Sequence, residues 1–205
     1  MSRVRTRTKI HPCFPHPKRR GGYSEMVRNS KTYTWATAWA LICLPIILWD
    51  TSYILFRPRS MAGGDLHWIW PGYEIYQEVD YVYGLKALQN GDGFPSAQTA
   101  LNLVELAINA LYLYSTYVLD SPIAPLFGFS TNLMTLSKTV LYFAQEYFCS
   151  FCNIGHNTPK DLFFFYFCTN SLWIVFPTLI IIRLGKDIAA SLRITKGMES
   201  KKKDR

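Results

Sequence analysis

The apolar residues of this chain are gathered into four windows, roughly Thr34–Phe56, Ala97–Leu119, Leu126–Cys149 and Leu162–Leu184. Each is about 20 residues or longer, the length a helix rising ~1.5 Å per residue needs to cross a hydrocarbon core. Clustering of this kind, rather than a helical alternation of apolar and polar residues, separates a membrane protein from a soluble helical domain. The composition agrees, with 49% hydrophobic and only 18% charged residues. The first window starts too far along the chain, after too many polar residues, to be a cleavable signal peptide. The sequence therefore predicts an all-α fold, a polytopic membrane four-helix bundle over residues 32–190. A basic tail (1–31), read as disordered from Pro12, Pro15 and Pro17 among basic residues, precedes it, and a second basic tail (191–205) follows.

A net charge of +8 raises nucleic acid as a partner, but the placement of the charge excludes it. Arg3, Arg5, Arg7, Lys9, Lys18, Arg19, Arg20, Arg28 and Lys31 precede the first window, and Arg183, Lys186, Arg193, Lys196, Lys201, Lys202, Lys203 and Arg205 end or follow the last. The connection between windows one and two is acidic on balance. The positive-inside rule then puts both termini in the cytosol, as an even number of spans requires. Lys202 and Lys203, three and four residues from the end, match the dilysine retrieval signal of endoplasmic reticulum membrane proteins. The expected location is that membrane, with the lipid bilayer as a partner; a homodimer stays open.

Residues 57–97 are no ordinary linker. Leu66 to Tyr73 carries His67, Trp68, Trp70 and Pro71, the composition of an aromatic belt at a headgroup interface. Tyr73, Tyr76, Val79 and Tyr83, with Asp80 nearby, suggest a short interfacial helix ending at Gly84. Asn90-Gly91-Asp92-Gly93 reads as a turn. The segment either caps a pocket between helix ends or anchors the chain to lipid. Cys149 and Cys152 form a C-x-x-C whose spacing suits helical packing. A redox pair is the alternative, and zinc lacks ligands beyond His156.

Two carboxylates, Asp50 and Glu105, interrupt the first two windows. Ionisable groups inside a span are costly and by default functional. Counting along each span from its lumenal end puts Asp50 ~9 Å deep and Glu105 ~12 Å deep, with Asn170 and Trp173 at ~12 and ~16 Å and Glu146 near the lumenal end of span three. The expectation is an acidic cavity in the lumenal half, with Asp50 and Glu105 turned toward each other. Glu105 could instead pair with Lys138, but the same counting places Lys138 nearer the cytosolic half and disfavours the pair. Asn102, Asn109 and Asn170 could alternatively be interhelical hydrogen-bonding groups.

Span four reads Lys160-Asp161-Leu162-Phe163-Phe164-Phe165-Tyr166-Phe167-Cys168-Thr169-Asn170-Ser171-Leu172-Trp173-Ile174-Val175-Phe176-Pro177, an aromatic run followed by N-x-L-W-x-V-x-P. It resembles the last helix of the emopamil-binding proteins. Val140-Leu141-Tyr142-Phe143 followed by Glu146 resembles their preceding helix, and Leu103-Val104-Glu105 falls where they carry an essential acid. The resemblance covers about residues 34–190 and points to the EXPERA superfamily, which includes the sterol isomerase and the sigma-2 receptor; the fungal emopamil-binding-like members look most similar. It implies a cofactor-free isomerase of a sterol or other polycyclic isoprenoid, acting in a bundle cavity. Glu105, Glu146 and Asp50 would be its catalytic acids, and Asn170, Trp173, Asn102 and Tyr142 would contact the substrate. No metal is implied. Where the isomerase carries a His and a Glu four residues apart, this chain reads Cys43-Leu44-Pro45-Ile46-Ile47-Leu48-Trp49, with Asp50 beside it. A lone aspartate there is closer to the sigma-2 arrangement and implies the alternative, a non-catalytic binder of sterols or cationic amphiphiles.

Overall fold

A computed structural model describes residues 34–203. The basic stretch 1–31, and Asp204 and Arg205 at the end of the segment expected to be a retrieval signal, lie outside the described residues. Within them every regular element is helical. The long helices are α1 (Thr34–Leu55), α4 (Phe94–Tyr117), α5 (Ala124–Phe148) and α7 (Cys168–Lys203), and the short ones are α2 (Gly72–Val79), α3 (Leu85–Gln89) and α6 (Pro159–Asp161). A π-helical stretch, Leu162–Phe167, joins α6 to α7, and the basic segment from 191 continues α7 as helix.

Helix starts follow local chemistry. Asp92 accepts the Phe94 N–H at 3.0 Å and Pro95 sits in the first turn of α4. Thr158 caps α6 by accepting the Asp161 N–H at 3.2 Å, with Pro159 next to it. Proline suits these positions because the first helical N–H groups have no intrahelical acceptor. Pro45 and Pro177 lie inside α1 and α7.

Helix α5 packs on both α4 and α7, and α4 packs on α1. Trp39 brings α1 onto α7, stacked on Phe176 at 4.5 Å and tilted against Trp173 at 5.3 Å, with Ala36, Ile180 and Leu184 buried beside it. The Asn109 side chain donates to the Ala40 carbonyl at 3.0 Å, a polar tie between α4 and α1. Gly128 lets α5 approach its neighbours; a Cβ there would meet Leu184 Cδ1 and Tyr112 Cε2 at 2.9 Å.

The polarity of these helices is reversed relative to a water-soluble bundle. On α4, Thr99, Glu105, Asn109, Ser115 and Thr116 are buried, while Leu101, Leu103, Val104 and Leu111 are exposed. Glu105 is 2% exposed beside Leu103 at 45% and Val104 at 50%. On α5 the buried side carries Thr131, Asn132, Thr135 and Glu146, and the outside carries Leu126, Leu133, Val140 and Leu141. Glu105, Asn109, Tyr112 and Thr116 on α4, and Gly128, Thr131, Thr135, Tyr142 and Glu146 on α5, recur at the three-, four- and seven-residue steps of one helical face. By length and mean hydropathy, two helices qualify as membrane-crossing, Thr34–Leu55 and Pro159–Gly197. The polar inner stripes of α4 and α5 lower their averages.

The connection 57–93 folds back as a cap. Tyr53, Ile54, Met61, Trp70 and Tyr73 form a buried cluster. The Trp70 indole donates to the Trp49 carbonyl at 2.9 Å, and the Trp49 indole donates to the Ile69 carbonyl at 3.1 Å. The sequence expected one short helix up to Gly84. It stops instead at Val79, because Asp80 turns extended and its carboxylate accepts the Val82 N–H at 3.0 Å, starting a 3-10 turn over Tyr81–Tyr83. Residues 149–158 tie into the same cap: Asn153 accepts the Tyr81 N–H at 3.3 Å, and Asn157 donates to the Val79 carbonyl at 2.7 Å.

Candidate functional site

Beneath the cap, between the long helices, lies a cavity of about 380 Å³. Its size falls in the range of small-molecule sites. Asp50, Asn102, Glu105, Tyr142, Asn170 and Trp173, all singled out from sequence, border it. Glu146 does not. It sits at the end of α5, 2% exposed, where Asn153 donates to both of its oxygens, from the backbone N–H at 3.2 Å and the side-chain amide at 2.7 Å. The helix end rotates this acid toward the following connection and away from the cavity.

A continuous polar chain crosses the cavity wall. The Tyr73 hydroxyl from the cap donates to Asp50. The Asn102 amide donates to the other Asp50 oxygen at 3.4 Å, and the Asn102 carbonyl oxygen accepts from Lys138. Lys138 Nζ lies 2.6 Å from Glu105 Oε2, and Thr135 donates to Glu105 Oε1 at 2.6 Å. Four elements, α1, α2, α4 and α5, thus meet through side chains alone. The pairing of Glu105 with Lys138 overturns the expectation from depth. Measured from the ends joined by the turn 118–123, Lys138 is fourteen residues into α5 from Ala124 and Glu105 twelve residues from Tyr117. These are heights of ~21 and ~18 Å, close enough for a lysine stem to bridge. Only Asp50 borders the cavity as a carboxylate with no cation within salt-bridge distance among the described residues.

A second chain occupies the other side. Asn170 donates to the Tyr76 hydroxyl at 3.4 Å and to the Tyr166 carbonyl at 2.8 Å, so it touches no acid. The Tyr76 and Tyr142 hydroxyls are 3.3 Å apart, and Tyr142 donates to Asp80. Asp80 is wholly buried, and burial pushes its carboxyl up from 3.8 to about 6. The hydrogen bonds from Tyr142 and the Val82 N–H oppose that rise, Glu146 adds to it, and His156 works against it.

Sequence reasoning missed Tyr76, Gln98, Thr135 and Thr139 as cavity residues and gave Lys138 no place there. One signal was present: Thr99, Asn102, Glu105 and Asn109 recur at helical spacing within an apolar window, as do Thr135, Lys138 and Tyr142. The packing reading of the C-x-x-C is also corrected. Cys149 and Cys152 form a disulfide, because the chain leaves α5 at Cys149 and Ser150 and Phe151 both take φ of 59°, turning the two sulfurs together.

No family model and no curated protein matches this chain.

Proposed function

We propose that this chain is a cofactor-free, membrane-embedded isomerase of a sterol or other polycyclic isoprenoid, moving a double bond by protonation and deprotonation. The observation that carries this reading is the position of Asp50, bordering the cavity with Tyr73 and Asn102 hydrogen-bonded to its two oxygens. As a carboxylic acid it donates a proton to an alkene carbon. The hydroxyl of Tyr73 and the amide of Asn102 then stabilise the carboxylate left behind. The cation formed on the substrate faces the Trp173 indole and the paired Glu105, and Asp50 takes back a neighbouring proton. Lys138 compensates Glu105, so once Asp50 has given up its proton these side chains carry a net charge of one negative, not two, beside the cation. Tyr76, Tyr142 and Asn170 supply hydroxyl and amide groups for a polar end of the substrate.

The reversed polarity of α4 and α5 supports four spans: leaving so many leucines and valines to water while burying threonine, asparagine and glutamate is favourable only where the outside is lipid. With four spans, the basic termini face the cytosol and the cap faces the lumen of the endoplasmic reticulum, the orientation that the charge distribution favours.

One observation favours a second reading. With Glu105 tied to Lys138, Asp50 remains as a lone carboxylate suited to an amine, which supports a non-catalytic binder of sterols or cationic amphiphiles. Expression in cells lacking sterol isomerase separates the two. A restored isomerised sterol supports the enzyme; unchanged sterols together with saturable amphiphile binding support the binder.

A further inference from the structure

We propose that the Cys149–Cys152 disulfide is a thiol–disulfide exchange site, with Glu146 as its proton acceptor and donor and a small solvent monothiol as its partner. Three observations separate it from a structural staple. The bridge joins residues three apart, so it removes little loop-closure freedom from the unfolded chain and contributes little as a cross-link. Within its ring two consecutive non-glycine residues, Ser150 and Phe151, sit at φ 59°, a left-handed region that is unfavourable for a bulky residue. Finally, the two sulfurs are unequal. Cys152 is exposed and open to attack, whereas Cys149 is half-buried with its sulfur 4.0 Å from a Glu146 carboxylate oxygen and 3.6 Å from the Glu146 carbonyl. Strained and exposed disulfides are the labile ones.

The chemistry closes. A solvent thiolate attacks the exposed Cys152 sulfur, the S–S bond breaks, and its electron pair leaves with Cys149. The Cys149 thiolate accepts the Cys152 N–H, 3.1 Å from its sulfur, and takes its proton from Glu146. A second solvent thiolate attacks the partner's sulfur in the mixed disulfide and releases Cys152 as a thiolate. The protein gains two electrons, and two thiols leave as their disulfide. Reoxidation runs the same steps backward, with Glu146 taking the Cys149 proton.

The full chain, purified in nanodiscs and equilibrated with reduced and oxidised glutathione, tests this by alkylation and mass spectrometry. The pair is expected to open and reclose reversibly at millimolar reduced glutathione, and Glu146→Gln to slow both directions by about a hundredfold, the scale of lost acid–base catalysis. As a second readout free of Glu146, Cys149→Ser is expected to leave a Cys152–glutathione adduct, and Cys152→Ser to leave Cys149 unmodified. The proposal is overturned if the disulfide survives glutathione and opens only under denaturant. It is equally overturned if the reduced pair is isolated with bound zinc held by Glu146, Cys149 and Cys152, or if Cys149 rather than Cys152 takes the adduct.

Discussion

Lys138 Nζ and Glu105 Oε2 stand 2.6 Å apart between α5 and α4, with side chains 12% and 3% exposed. Removing one member strands the other charge at a buried site, a loss of about 3–5 kcal/mol. Lys138→Met is therefore expected to lower the thermal midpoint in detergent sharply, and Lys138→Met combined with Glu105→Gln to recover much of that loss. A double mutant as unstable as the sum of the single changes would show that the two groups are not coupled.

Tyr73 reaches Asp50 from the cap. Tyr73→Phe keeps the ring stacked on Tyr53 at 3.9 Å but deletes the hydroxyl. Loss of a hydrogen bond to a group that becomes charged is worth about 2 kcal/mol, so turnover is expected to fall roughly tenfold or more with little change in melting. Equal turnover in the two proteins would remove Tyr73 from the acid's surroundings.

Asp80 makes the cap sensitive to pH. Its folded-state value, about 6, lies above the ordinary 3.8, so the folded protein holds the extra proton more tightly. The stabilisation this gives is fully present below about pH 4 and is lost as pH rises through about 6, on the order of 3 kcal/mol at the extremes. Melting of the wild type is expected to weaken between pH 4 and 7, and Asp80→Asn is expected to flatten that slope. An unchanged slope in the variant would assign the titration to another group.

Gly128 sits where α4, α5 and α7 converge, with no room for a branched side chain. Gly128→Val is expected to destabilise the protein by about 1–3 kcal/mol through overpacking. The same substitution at exposed Gly72, where a Cβ would meet nothing within 4 Å, serves as the control.

The proposed four-span topology is checked by inserting a sequon-bearing loop at Gly91 or at Ser121, in separate proteins. Glycosylation at Gly91 alone is the expected pattern; modification at Ser121 would invert the orientation.

Much of the architecture was legible because one-dimensional signals carry it. The four apolar windows coincide within a few residues with α1, α4, α5 and the start of α7, and the acids of the first two windows do share one cavity. What escaped depends on contacts between distant segments. Lys138 finds Glu105 because the two helices meet at the turn 118–123, so heights must be counted from that shared end. Asp80 is buried by Tyr142, 62 residues away, a pairing no local pattern encodes. The disulfide needs Ser150 and Phe151 in a backbone region their side chains disfavour, so local propensity points away from it. Glu146 had the right residue type for a catalytic acid but lies where the helix ends, and its last turn faces Asn153 instead of the cavity.

The most direct test of the central claim follows solvent hydrogen into substrate. Purified protein in nanodiscs is incubated with an unsaturated sterol in deuterated water, and the recovered sterol is analysed by mass spectrometry. The wild type is expected to return a sterol with a shifted double bond carrying solvent deuterium, and a folded Asp50→Asn variant is expected to give neither. A sterol recovered without deuterium from the wild type at every pH, or labelled equally by Asp50→Asn, would contradict that claim.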